Sequence, residues 1–175
     1  LHYIPTGTNT KEIKKKCIDP KFRVLLVVPG HGLKERLPQM VKSISALKSS
    51  CVENAVGFQC VVFIWEKLIF SDVKSILKFQ CEVLFSKGLW TDHMMNLRKM
   101  NLVDVYGDGP THVILMLDDV KADTVNLPIF LNTMTQSNFQ VASPAIPGWQ
   151  TDSSLQHSSC MSHRTDHVDI LFTVF

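Results

Sequence analysis

Short apolar runs bounded by polar or turn-forming residues recur along the chain. The longer runs are almost continuously apolar, which is typical of strands buried on both faces of a sheet. Five runs are predicted as strands, at residues 22–28, 58–65, 82–85, 112–117 and 139–142.

Segments with helical periodicity separate these runs. Between Leu33 and Leu47, apolar residues recur every three or four positions, with charged residues on the opposite side. The predicted helices span residues 33–47, 71–79, 91–100 and 127–134. This alternation predicts an α/β, Rossmann-like fold, in which helices cover both faces of a mostly parallel, twisted central sheet. Residues 143–166, rich in Ser, His and Gln, are predicted to form a long loop.

The two ends of the chain differ in character. Residues 1–20 are polar and include the lysine-rich stretch 11–16, so we expect a solvated lead-in segment there. Residues 168–175 form an apolar, strand-like run without a polar tail. We therefore expect a single domain over residues 21–175 that is cut short at its carboxyl end.

Composition narrows the class of protein. The chain has 175 residues, of which 45% are hydrophobic and 19% charged, and this excludes a disordered or collagen-like polypeptide. A net charge of +2 does not favour a nucleic-acid partner, and no apolar run approaches the roughly 18 residues of a membrane span. The five cysteines form no CxxC pair, so we expect reduced, structural thiols.

Candidate chemistry lies where the predicted strands end, since ligands of open α/β sheets bind at the carboxyl ends of strands. Asp118 and Asp119 directly follow a strand, and two adjacent carboxylates repel each other unless a cation is present. Their hard oxygen ligands suit Mg²⁺ or Mn²⁺. The alternative is that one aspartate caps the next helix and the other is solvated. Gly30 and Gly32 lack the third glycine of a dinucleotide fingerprint.

Four segments carry a family resemblance: residues 87–90 (KGLW), 117–120 (LDDV), 141–146 (VASPAI) and 168–175 (VDILFTVF). In order and spacing they resemble a group of small viral, algal and plant glycosyltransferase-like proteins. From about residue 22 onward, the chain resembles nucleotide-sugar glycosyltransferases of the GT-A fold. In that fold an acidic pair at the end of a central strand holds the diphosphate of the sugar donor through Mn²⁺ or Mg²⁺.

The resemblance also implies a role for individual positions. It implies nucleoside contacts for Pro29, Gly30, His31 and Glu66, nucleotide contacts for Lys87, Gly88, Trp90 and Asp118, metal ligation by Asp119 with Asp118, and a donor and acceptor side at Ser143 and Pro144. Val120 stands where many relatives have a further aspartate, which weakens the expected metal site. The resemblance assigns no catalytic base, and we expect that residue to lie beyond Phe175.

The expected function is metal-dependent transfer of a sugar from a nucleoside-diphosphate donor, with UDP-sugars favoured, to a glycan or other hydroxyl acceptor. The alternative is a catalytically incomplete GT-A-like domain that acts as a binding module. A phosphatase with an aspartate nucleophile is disfavoured, because its second aspartate would stand where Val120 does. We expect a Golgi lumen location if the source is eukaryotic and a cytoplasmic one if it is viral.

Overall fold

The long aliphatic runs of the chain form neighbouring strands of one sheet. The computed structural model describes residues 21–30, 34–88, 90–99, 109–142 and 172–174. Within them the strands are β1 (Arg23–Gly30), β2 (Gly57–Ile64), β3 (Glu82–Phe85), β4 (His112–Met116) and β5 (Phe172–Val174). The predicted lead-in, residues 1–20, lies outside this part of the chain.

All four predicted helices are present. They are α1 (Leu37–Glu53), α2 (Lys67–Leu77), α3 (Trp90–Lys99) and α4 (Leu127–Gln136). Helix α1 begins four residues later than predicted, with Pro38 in its first turn, where a missing N–H costs no hydrogen bond. None of the helices in the described part of the chain is long and apolar enough to cross a lipid bilayer.

The strand order is β3-β2-β1-β4-β5. Strands β1 to β4 run parallel, and β5 pairs antiparallel with β4. From β1 the chain first builds outward through β2 and β3, and it then crosses back to place β4 on the other side of β1. The order therefore reverses between β1 and β4, the topological switch point of the sheet.

The two faces of the sheet are covered by different helices. Leu26 of β1 belongs to a buried cluster with Ile44 of α1, and α2 and α4 contribute to the same cluster. Leu25, which points to the opposite face, packs in a second cluster with Leu97 of α3. This arrangement confirms the predicted α/β fold, a mostly parallel sheet with helices on both faces.

The predicted fifth strand, residues 139–142, is wrong. Asn138 has a φ of 53°, and the backbone N–H of Phe139 donates to the carbonyl of Met134, so the chain is still completing the end of α4. Only Ala142 pairs, in an isolated antiparallel bridge to Val174. The strand beside β4 comes instead from the apolar run at residues 168–175.

The expectation of reduced cysteines is also wrong for one pair. Cys60 in β2 and Cys81 form a disulfide, with Cα atoms 4.5 Å apart. Val61 pairs with Glu82 across β2 and β3, so the residues just before them are direct neighbours. Cys51 is free and buried, and its burial raises the thiol pKa to about 12, as befits a structural cysteine.

Candidate functional site

The candidate site lies at the carboxyl ends of β1 and β4. Gly30, the last residue of β1, and Asp118, two residues after β4, are both buried. Parallel strands end at the same edge of a sheet, and the loops after β1 and β4 lead to α1 and α4, which pack in one buried cluster on the same face. Residues from both loops therefore meet at this edge of the sheet.

Three charged residues meet at this position. Arg36 precedes α1, and its Nη1 donates to Asp118 Oδ1 at 2.9 Å. The same nitrogen lies 3.4 Å from Asp119 Oδ2, so one guanidinium group bridges both aspartates. The side chain of Asp118 is only 5% exposed, against 35% for Arg36 and 47% for Asp119. The hydrogen bond to Asp118 raises the pKa of Arg36 above its ordinary value.

Ser43 fixes the loop that carries the two aspartates. Its side chain is fully buried in α1, and its hydroxyl donates to the carbonyl of Val120 at 2.9 Å. The same oxygen accepts from the backbone N–H of Ala122 at 3.0 Å and from Gln39 Nε2 at 3.1 Å. Helix α1 therefore holds both Arg36 and the loop that faces it.

This arrangement does not fit a divalent metal at the aspartate pair. Across the described ranges, no group of three or more His, Cys, Asp or Glu side chains could hold a metal ion. Asp118 and Asp119 provide two carboxylates, but Arg36 already contacts an oxygen of each. A metal that bridged them would have to displace the guanidinium group. The Mg²⁺ or Mn²⁺ requirement stays a prediction.

The other predicted site residues lie along the same edge, in the order of the strands. Pro29 and Gly30 end β1, Glu66 follows β2, and Lys87 follows β3. Glu66 and Lys87 are exposed, whereas Pro29 and Gly30 are buried. At ordinary strand spacing, the end of β3 lies about 14 Å from the end of β4. Arg36 rather than Lys87 is therefore the cation at the aspartate pair.

Gly88 has a structural reason to be glycine. Its φ is +156°, and a Cβ atom added there would lie 2.7 Å from Asp92 Oδ2, in the first turn of α3. This close packing explains the residue without a ligand. Trp90 begins α3, but its side chain lies outside the described structure, as do His31, Ser143 and Pro144.

Sequence reasoning missed Arg36 and Ser43. Both fall in or beside a segment with helical periodicity, where a charged or small polar residue looks like part of a solvated face. Arg36 follows β1, however, and so belongs to the same sheet edge as the acidic pair. A systematic pairing of opposite charges at that edge would have singled it out.

A buried histidine of α3 packs against β2. His93 of α3 is 1% exposed and stacks on Phe63 of β2, with ring centroids 4.4 Å apart. Its ring is also nearly parallel to that of Trp65, at 6.5 Å. Neither ring nitrogen of His93 has a hydrogen-bond partner among the described residues. Burial lowers the pKa of His93, and the carboxylate of Asp92 offsets part of this effect.

We expect the stability of the domain to decline below about pH 6.5 partly because of His93. In the folded state its pKa lies below the unfolded value of 6.5, so unfolding takes up a proton in this range. The contribution is complete above pH 6.5 and is lost as the pH falls through the folded pKa. Denaturant titrations from about pH 7.5 to about pH 5 measure it.

The matched variant for this prediction is His93→Phe, which keeps the stacked ring and removes the titrating group. Its free energy of unfolding should fall less steeply with pH than that of the unmodified chain. Burial also lowers the pKa of His112, but that residue is present in both proteins, so its effect cancels in the difference. Identical pH profiles would show that His93 does not contribute.

Comparisons with known proteins identify no family. No protein-family model matches the sequence, and no curated protein matches it significantly. Two crystal structures of 4-diphosphocytidyl-2C-methyl-D-erythritol synthase are similar in part. The first shares 12% identity over 89% of this chain and 75% of its own, with a TM-score of 0.43. The second, from Anaerococcus prevotii DSM 20548, shares 11% identity over 87% of this chain and 71% of its own, also with a TM-score of 0.43. Similarity at this level is too low to assign an activity.

Proposed function

We propose that this domain is a transferase that binds a nucleoside-diphosphate sugar, with UDP-sugars favoured, and passes the sugar to a hydroxyl acceptor. The observation that carries the proposal is the group of Arg36, Asp118 and Asp119 at the switch point between β1 and β4. Nucleotides bind at this position in doubly wound α/β sheets. The resemblance of the acidic pair to that of GT-A glycosyltransferases supports the sugar donor.

The strand order supports one orientation of the nucleotide. The phosphates would lie near Arg36, and the base would extend across β1 towards Glu66 at the end of β2. The ends of β4 and β2 are two strand spacings apart, about 10 Å, which is comparable to the length of a nucleoside. In this orientation the carboxylate of Glu66 would accept a hydrogen bond from the imide N–H of uracil.

The proposed reaction is an attack of the acceptor hydroxyl on the anomeric carbon of the sugar. The bond from that carbon to the diphosphate breaks, and the diphosphate leaves with its electron pair. A cation beside the departing diphosphate stabilises the charge that develops there. Within the described residues we assign this role to Arg36 and assign no residue to the proton of the acceptor.

Calorimetric titrations with UDP, GDP and UMP test the proposal, both with Mn²⁺ and with a chelator. We expect UDP to bind more tightly than UMP, which lacks the second phosphate. Glu66→Ala should weaken UDP binding about tenfold or more, as expected for loss of a hydrogen bond to a charged group. Glu82→Ala is the matched control, because Glu82 is also exposed but begins β3, at the opposite edge.

The outcomes separate the possible functions. UDP binding that depends on Glu66 supports the nucleotide site, and transfer or hydrolysis of a UDP-sugar would then establish the activity. Binding without turnover would favour the alternative of an incomplete domain that acts as a binding module. If neither UDP nor GDP bound under either condition, the proposal would be wrong.

A further inference from the structure

We infer that Arg36 takes the place of a divalent metal at the diphosphate, so that this domain binds its nucleotide without Mg²⁺ or Mn²⁺. The inference rests on the proposed function and concerns the same site. The acidic pair predicts a metal ion at this position, but the guanidinium group of Arg36 lies there instead.

The position of Arg36 is the first argument. Its Nη1 lies 2.9 Å from Asp118 Oδ1 and 3.4 Å from Asp119 Oδ2, between the two carboxylates that would otherwise bind a cation. The two carboxylates hold Nη1 in place beside them. A cation that is already oriented loses less conformational entropy when a ligand binds.

The second argument is that Arg36 has N–H donors that the described residues do not use. A guanidinium group has five N–H donors, and the contacts of Arg36 with described residues involve only Nη1. Nε and Nη2 have no acceptor among those residues, and the side chain is 35% exposed. Adjacent donors of this kind bind two phosphate oxygens at once, which an ammonium group does not do as well.

The N-terminus of α1 adds a positive electrostatic potential beside Arg36. Arg36 is the N-cap of this 17-residue helix, and no side chain caps its first turn. The first turn also carries no acidic residue. The positive end of the helix dipole therefore favours a negative charge beside the guanidinium group.

Titrations with UDP and with inorganic pyrophosphate, in excess chelator and then with Mn²⁺, test this inference. We expect both probes to bind in chelator, and we expect Mn²⁺ to change their affinities less than twofold. Arg36→Gln should weaken both at least tenfold. Arg36→Lys should recover part of the loss, because it keeps the charge next to Asp118 but not the paired donors.

Lys48→Gln is the matched control for charge. It removes one positive charge from the same helix, where Lys48 donates to the carbonyl of Phe79 and does not contact the loop of the site. Its affinities should stay within twofold of those of the unmodified chain. A thermal melt of each variant, together with the Arg36→Lys result, distinguishes loss of binding from loss of folding.

Three results would be decisive. If UDP bound only with Mn²⁺, whatever the effect of Arg36→Gln, the inference would be wrong while the proposed function would stand. If pyrophosphate bound in chelator through Arg36 but UDP bound no more tightly, the inference would hold and the nucleoside part of the proposed function would fail. If neither probe bound, both would be overturned.

Discussion

Reduction of the Cys60–Cys81 disulfide is expected to lower the free energy of unfolding by about 3 kcal/mol. The bond joins residues 21 positions apart. Closing a loop of that length lowers the conformational entropy of the unfolded state, which is worth about 3 kcal/mol. The loop contains α2 and connects two neighbouring strands of the sheet, so loss of the disulfide should destabilise the whole domain. Urea denaturation with and without dithiothreitol measures the difference.

Cys81→Ser is the control for this experiment. Its stability should match that of the reduced protein and should respond much less to dithiothreitol than that of the unmodified chain, because the Cys60–Cys81 bond can no longer form. Unfolding midpoints that were the same in oxidised and reduced samples would contradict the prediction.

Ser43→Ala is expected to cost about 2 kcal/mol of stability and to weaken nucleotide binding. The substitution removes the hydroxyl that accepts from Ala122 and donates to Val120, and each buried polar group left without a partner costs about 1–3 kcal/mol. It also releases the loop that holds Asp118 opposite Arg36. Urea denaturation and a UDP titration of the same variant measure both effects.

Ser45→Ala is the matched control on the same helix. Its hydroxyl donates to the side chain of Gln80, on the side of α1 away from the site, and the group is only partly buried. We expect this variant to lose less than about 1 kcal/mol and to bind UDP normally. Equal losses of stability for Ser43→Ala and Ser45→Ala would show that Ser43 does not fix the loop.

The local pattern of the sequence was sufficient to predict most of the sheet. Strands β1, β2 and β4 are buried on both faces, so each has a continuous apolar run that turn-forming or polar residues interrupt. The fifth strand was recognised only as an apolar, strand-like run at residues 168–175, and the pattern did not show that this run pairs with β4. Residues 139–142 have a strand-like composition, but the end of α4 determines their conformation, and the pairing of β5 with β4 is a contact between distant parts of the chain.

The candidate site was predicted only in part for a similar reason. Asp118 and Asp119 could be found because they directly follow a strand. Their partner Arg36 lies 82 positions earlier in the chain, and only the order of the strands brings it to the same edge. The disulfide likewise depends on the register between β2 and β3, which the spacing of cysteines does not reveal.

The most direct test of this account is a backbone amide NMR titration of the ¹⁵N-labelled protein with UDP in excess chelator. We expect saturable shifts that centre on Gly30, Arg36, Asp118 and Asp119, with smaller ones at Glu66. Residues at the opposite edge, such as Arg23 and Thr111, which are hydrogen-bonded to each other there, should not move. Shifts confined to that opposite edge, or no saturable shifts at all, would contradict a nucleotide site at the switch point.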